Sequence, residues 1–104
     1  MNLKSLLGLV IHFLIGLTVS GQIKIKGRLI DHASGSYLEH VSIQVENDSE
    51  ILFTDHEGHF EMSTFLDKSV VLVCELEAYE RLRIPLQLSI SQEIVDLGFI
   101  SLHA

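Results

Sequence analysis

A chain of 104 residues has room for a single domain, and its one cysteine excludes an internal disulfide. The formal net charge is −7 at pH 7, from 14 acidic and 7 basic residues. This balance argues against nucleic acids and anionic lipid surfaces as partners, because both select clusters of Lys and Arg.

Residues 1–21 are typical of a secretory signal peptide. Lys4 supplies a positive charge, an apolar run follows at 6–17, and small residues precede Gln22. The sequence therefore predicts a helical signal peptide over 1–21 and a mature domain over 22–104. A permanent membrane anchor is the weaker alternative, because the run is shorter than the ~20 apolar residues that a span needs. We expect no stable membrane span after signal cleavage.

Beyond the signal, apolar and polar residues alternate in short segments, as strands with one buried face require. The predicted strands are 23–30, 40–46, 50–54, 59–63, 70–76, 81–86 and 94–102. The fifth strand is apolar on both faces, which predicts a central position in its sheet. Pro85 lacks a backbone donor and predicts that the sixth strand lies at an edge. The alternation changes phase around Gly98, as a β-bulge requires. Together these segments predict an all-β fold, a seven-stranded antiparallel β-sandwich.

The centre of the chain, residues 54–60 (Thr-Asp-His-Glu-Gly-His-Phe), separates the third and fourth predicted strands. Its polar residues and Gly58 predict a hairpin turn between those strands, since glycine adopts positive φ without steric penalty. Asn47-Asp48-Ser49 matches a glycosylation sequon, which indicates an exposed turn. Cys74 lies in an apolar strand and is interpreted as a small buried hydrophobic residue.

Six histidines suggest a metal site as one hypothesis. His56 and His59 are spaced His-x-x-His beside the acidic residues Asp55 and Glu57. A zinc site needs three or four converging ligands, whereas this pair forms at best a loose clip of two. Further histidines would have to come from other loops: His32 and His40. We therefore expect no metal site and interpret these histidines as exposed turn residues.

No residue pattern indicates catalysis. The serines are scattered and none lies in a Gly-x-Ser-x-Gly sequence, and there is no His-Glu-x-x-His or His-x-x-Glu zinc motif. We assign no catalytic, cofactor-binding or metal-binding residue and expect no cofactor. The ligand-binding residues stay unknown from the sequence, and the chain is not expected to be an enzyme.

Five short segments share the pattern of one known family: 27–31 (Gly-Arg-Leu-Ile-Asp), 34–38 (Ser-Gly-Ser-Tyr-Leu), 41–45 (Val-Ser-Ile-Gln-Val), 54–55 (Thr-Asp) and 58–60 (Gly-His-Phe). With them the chain resembles the carboxypeptidase regulatory-like domain, found in bacterial envelope proteins and in the N-terminal extensions of TonB-dependent receptors. The resemblance implies a transthyretin-like (prealbumin-like) Greek-key β-sandwich that acts as an accessory module without catalytic residues. Tyr37, Glu39 and His40 stand where the family often has Pro and Gly, so the strand register is least defined there.

The function that we expect is an exported, non-catalytic binding or scaffolding module of the bacterial cell envelope. Its location would be periplasmic, outer-membrane-associated or secreted, and its partner another envelope protein or an outer-membrane receptor component. One alternative is a separated N-terminal extension of a TonB-dependent receptor. A glycan-binding module is another, although Tyr37 and Tyr79 lie far apart in sequence and suggest no aromatic platform. A hydroxyisourate hydrolase is disfavoured, because the chain ends in Ser101-Leu102-His103-Ala104 and not in that family's Tyr-Arg-Gly-Ser.

Overall fold

The computed structural model describes residues 22–65, 69–88 and 93–104. The predicted signal peptide over 1–21 lies outside the described residues. Within the described ranges, no helix is both long and apolar enough to cross a membrane.

Each of the seven predicted strands is present in the described ranges. They are β1 (Gln22–Asp31), β2 (Ser42–Val45), β3 (Ile51–Phe53), β4 (His59–Phe65), β5 (Ser69–Glu75), β6 (Leu82–Gln87) and β7 (Ile94–Leu102). β2 begins two residues later than the sequence predicts, because His40 has a φ of 64°, which is incompatible with an extended strand.

The strands form two sheets, one of three strands in the order β4-β1-β7 and one of four in the order β3-β2-β5-β6. All pairs are antiparallel except β1 and β7, which run parallel. The predicted all-antiparallel arrangement is therefore wrong at this pair. Parallel neighbours need a long connection, and the chain supplies one by building the whole four-stranded sheet between β1 and β7. The Greek-key arrangement implied by the resemblance stays a prediction.

The apolar faces of the two sheets meet in one core, which confirms the alternation seen in the sequence. Its fully buried members include Ile25, Leu29, Val41, Ile43, Leu72, Cys74 and Leu102. β5 lies between β2 and β6, as its two apolar faces predict, and Cys74 is completely buried. Pro85 lies on the edge strand β6 with its side chain exposed, which confirms its predicted position.

The predicted β-bulge in β7 is confirmed. Lys26 pairs with Asp96 and Arg28 with Phe99, so β7 contributes one extra residue over this interval. Gly98 has a φ of 64°, and its N–H donates to Oδ1 of Asp96 at 2.9 Å. Because of the extra residue, the side chains after Gly98 point to the opposite face from the one that the earlier alternation predicts. Phe99 therefore lies on the outer face of the sheet.

The central turn is present, but it does not form the predicted hairpin. Gly58 has the predicted positive φ, at 77°, and its N–H donates to the carbonyl oxygen of Asp55 at 2.9 Å. However, β3 pairs with β2, whereas β4 pairs with β1 in the other sheet. The turn therefore carries the chain from one sheet to the other.

Candidate functional site

The most distinctive surface of the described residues is a cluster on the outer face of the three-stranded sheet, formed by Arg28, Tyr37 and Phe99. We call it the Arg28 cluster. Arg28 lies in β1, Phe99 is its pairing partner in β7, and Tyr37 belongs to the loop that follows β1. The Cζ atom of Arg28 lies 3.6 Å from the centroid of the Tyr37 ring and 6.0 Å from that of Phe99. Both distances lie within the reach of a cation–π contact.

The aromatic rings of the Arg28 cluster are exposed, and Arg28 and the Tyr37 backbone are held by further contacts. Phe99 is 66% exposed and Tyr37 is 50% exposed. The Nε–H of Arg28 donates to the carbonyl oxygen of Glu57 at 2.8 Å, which fixes the guanidinium against the central turn. Tyr37 is held by the bridge that its backbone makes with Ile30. Large exposed side chains with fixed positions are typical of binding surfaces.

Beside the Arg28 cluster lies an open depression of about 520 Å³. Its charged lining residues are Lys26, Arg28, Asp55, Glu61 and Asp96. Two lysines of β1 partly neutralise the acidic ones. Lys26 Nζ lies 4.0 Å from Asp96 Oδ2, and Lys24 Nζ lies 3.2 Å from Glu61 Oε1. The basic side chains therefore lie along the central strand β1, and carboxylates lie on its two neighbours, Glu61 on β4 and Asp96 on β7.

Two of the residues considered for a metal site, Asp55 and His59, line this depression. Asp55 Oδ1 accepts the backbone N–H groups of Glu57 and His59, each at 2.9 Å. These bonds lower the pKa of Asp55 below its usual 3.8, with the bond from His59 as the largest cause. His59 Nδ1 lies 3.6 Å from Glu57 Oε2 and 3.9 Å from Asp55 Oδ2, whereas His56 is exposed in the turn. Asp55 is thus used to shape the turn.

The other histidines considered lie elsewhere. The ring of His32 stacks on that of His103 with centroids 3.9 Å apart, and His40 Nε2 lies 3.6 Å from Glu39 Oε1. In the part of the chain that the structure describes, no group of three or more His, Cys, Asp or Glu residues could hold a metal ion.

A second, smaller depression of about 380 Å³ lies on the four-stranded sheet, where Phe53 is 62% exposed. Its arginine is already used, because Arg81 Nε lies 2.8 Å from Glu75 Oε1. This surface therefore offers an apolar ring without an oriented, unpaired cation, and we regard the Arg28 cluster as the stronger candidate.

Sequence reasoning did not identify the Arg28 cluster. It found no aromatic platform in Tyr37 and Tyr79, and the structure places them apart in function: the Tyr79 hydroxyl donates to Asp31 Oδ2 at 2.7 Å. Tyr37 instead shares Arg28 with Phe99. The signal available in the sequence was the phase change at Gly98, which turns Phe99 outward.

Comparison of the sequence with protein-family models and with curated proteins gives no match. Solved structures share the fold. The 5-hydroxyisourate hydrolase of Klebsiella pneumoniae aligns over 79% of this chain and 87% of its own, with 14% identity and a TM-score of 0.53. The 3-chlorocatechol 1,2-dioxygenase of Rhodococcus opacus 1CP aligns over 80% of this chain with 11% identity and a TM-score of 0.62. This chain covers 60% of the dioxygenase.

A third similar structure is the Bacillus anthracis TIE protein, with 14% identity, a TM-score of 0.59 and alignment over 80% of this chain and 17% of that protein. At these identities the likeness shows the fold alone. The domain is a transthyretin-like β-sandwich. Membership of the carboxypeptidase regulatory-like family stays a prediction.

Proposed function

We propose that the chain is an exported, non-catalytic accessory module that binds a component of the bacterial cell envelope through the Arg28 cluster. The observation that carries this proposal is the combination of fixed position and exposure in one cluster. Phe99 is 66% exposed, yet it is placed beside Arg28 by a β-bulge, a device that proteins use to re-aim a side chain. Tyr and Arg are among the residues enriched at binding hot spots, which supports a ligand at this surface.

The described residues also support a non-catalytic role. Cys74 is fully buried, and burial raises the pKa of its thiol to about 12, so it is not a nucleophile at neutral pH. Export is supported by the sequence of residues 1–21.

The partner that we propose first is another envelope protein, including an outer-membrane receptor component. A separated N-terminal extension of a TonB-dependent receptor is consistent with the same surface and with the family resemblance. A glycan is the second candidate, and it is favoured by a specific observation. The exposed rings of Tyr37 and Phe99 both lie near Arg28, and exposed aromatic rings are the kind of surface on which a sugar ring packs.

Position-specific photocrosslinking in cells of the native host tests this function. A photoreactive phenylalanine analogue replaces Phe99, and the matched control carries it at Phe53, which is comparably exposed on the opposite sheet. We expect an adduct with an envelope component from position 99 and none from position 53. Equal adducts from both positions, no adduct from either, or a protein that stays in the cytoplasm with Met1 retained would each contradict the proposal.

A further inference from the structure

The guanidinium of Arg28 is oriented by its neighbours but retains most of its donors. Arginine carries five N–H donors in a planar fork. Here Nε–H is donated to the carbonyl oxygen of Glu57, and a face of the fork lies on the Tyr37 ring. Among the described residues, none accepts a hydrogen bond from Nη1 or Nη2 of Arg28, and none forms an ion pair with it. The fork is therefore available for a bidentate contact with an external oxyanion.

The charges around the depression restrict which oxyanion fits. Asp55, Glu61 and Asp96 line the same depression as Arg28. Lys26 also lines it, so the lining carries three carboxylates against two cations. A phosphate dianion therefore meets more repulsion there than a single carboxylate, which carries half the charge. The ligand should thus present one negative charge to Arg28 and no second one to the neighbouring strands.

The same three acidic residues suit a ligand that is rich in hydroxyl groups. An ionised carboxylate only accepts hydrogen bonds, and each hydroxyl of a ligand provides one donor. Because Asp55, Glu61 and Asp96 lie on both sides of β1, a ligand ring above the strand could donate in two directions. The exposed ring of Phe99 offers its negative face to the weakly positive C–H groups of such a ring.

From this arrangement we propose that the Arg28 cluster binds a carboxylate-bearing sugar, such as a uronic acid unit of an acidic polysaccharide. The carboxylate of the sugar is held by Nη1 and Nη2 of Arg28. Its hydroxyl groups donate to Asp96 and Glu61, and its apolar face packs on Phe99. The depression of about 520 Å³ is of ordinary size for a small-ligand site. The inference rests on the proposed function and develops its glycan candidate, in which the envelope component bound at this surface is an acidic polysaccharide and not a protein.

The inference is tested by titrating ligands into the purified protein, expressed from the full 104-residue sequence, and following its amide resonances. The probes are a trisaccharide with one galacturonic acid unit and two neutral units, its neutral methyl ester, and a short peptide with a free C-terminal carboxylate. Arg28→Lys keeps the charge but removes the planar fork. Arg81→Lys is the matched control on the opposite sheet, and thermal melts check that both variants fold.

We expect the acidic trisaccharide to bind and to shift the amide resonances of Phe99 and its neighbours. Arg28→Lys should raise its Kd by about tenfold or more, because bidentate geometry is lost, and Arg81→Lys should leave it unchanged. The methyl ester should bind about tenfold more weakly than the acid. Equal binding of acid and ester, no binding of the acid, or an Arg28→Lys Kd equal to that of the wild type would overturn the inference.

The two proposals can fail separately. A crosslinked adduct at position 99 that consists of protein, or a peptide that binds more tightly than the trisaccharide, would overturn the sugar ligand while the binding module stands. Absence of any position-specific adduct would overturn the binding module itself.

Discussion

Tyr79 donates a hydrogen bond from its hydroxyl to Oδ2 of Asp31 at 2.7 Å, and this bond joins the ends of the two sheets. Tyr79 lies in the loop between β5 and β6 of the four-stranded sheet, whereas Asp31 ends β1 in the other sheet. Asp31 Oδ1 accepts the N–H groups of Ala33 and Ser34. The Tyr79 bond is the largest cause that lowers the pKa of Asp31 below its usual 3.8, and it raises the pKa of Tyr79.

Tyr79→Phe should therefore destabilise the domain in a pH-dependent way. The folded-state pKa of Asp31 is depressed, so its contribution is fully present above the unfolded-state value of 3.8 and is lost as pH falls through the lower folded-state value. We expect a lower urea midpoint for Tyr79→Phe at neutral pH, and a difference from the wild type that shrinks as the pH falls below 3.8. Tyr37→Phe is the control, because the described residues give its hydroxyl no hydrogen bond. A midpoint difference that does not change with pH would contradict the role of Asp31.

Gly58 and Gly35 give a matched pair of substitutions. Both have a φ near the left-handed region, at 77° and 74°. A Cβ at Gly58 would lie 2.5 Å from the carbonyl oxygen of Leu29, whereas a Cβ at Gly35 would meet nothing within 4 Å. We expect Gly35→Ala to cost about 1 kcal/mol, from backbone strain alone. Gly58→Ala should cost at least about 2 kcal/mol more, because the obstacle is backbone and cannot rotate away.

Urea denaturation of the two alanine variants measures this difference. A third variant, Gly58→Asn, shows whether a residue that tolerates positive φ is also destabilising at this position. If only φ mattered, Gly58→Asn would be mild, since Asn tolerates the left-handed region. With the Leu29 oxygen so close, Asn should be nearly as destabilising as Ala. Equal midpoints for Gly58→Ala and Gly35→Ala would show that the contact with Leu29 is unimportant.

The central turn shows what the sequence predicts and what it leaves open. Asp55 and Gly58 define a tight turn through local hydrogen bonds, and such chemistry is visible in the sequence. Whether the flanking strands pair with each other is a long-range matter. Phe60 lies opposite Gly27 of β1, and a Cβ at Gly27 would lie 2.9 Å from Phe60 Cε1. This close packing accompanies the pairing of β4 with β1, and no local pattern in the sequence reveals it.

The Arg28 cluster escaped prediction for a similar reason. Its residues come from β1, the following loop and β7, which are distant in sequence. The alternation in β1 predicts that Arg28 faces outward, and the phase change at Gly98 predicts a bulge. Only the register of the parallel pair shows that Phe99 then lies beside Arg28. Since the sequence predicts only antiparallel pairs, it does not predict the parallel pairing of β1 with β7 that places Arg28 beside Phe99.

Cys74 should be protected from thiol reagents in the folded protein. It is completely buried, and desolvation raises the pKa of its thiol to about 12, so the reactive thiolate is scarce at about pH 8. We expect labelling by an alkylating reagent to be slow without denaturant and to rise with the unfolded fraction in urea. Since the chain has one cysteine, the mass increase reports on Cys74 alone. Rapid labelling in native conditions would show that β5 is not central in the sheet.

Thr54 is a buried polar residue, 3% exposed, and it lies where the chain crosses from one sheet to the other. Its hydroxyl makes two hydrogen bonds there. Oγ1 donates to the carbonyl oxygen of Leu38 at 2.7 Å and accepts the N–H of Val41 at 3.0 Å. Together with Asp55 and Gly58, it gives the central motif a structural role. The motif therefore specifies how the chain crosses between the sheets.

Replacing Thr54 by Val keeps its shape but removes both hydrogen bonds, and it leaves a buried N–H and a buried carbonyl without their partner. Each such group costs about 1–3 kcal/mol, so Thr54→Val should destabilise by roughly 2 kcal/mol or more. For a domain of this size, each kcal/mol lowers the Tm by roughly 4–8 °C. Thr54→Ser retains the hydroxyl and loses one methyl group, so its cost should stay near about 1 kcal/mol. Thermal melts of the two variants give the comparison. If Ser were as damaging as Val, methyl packing and not hydrogen bonding would be the reason for threonine at this position.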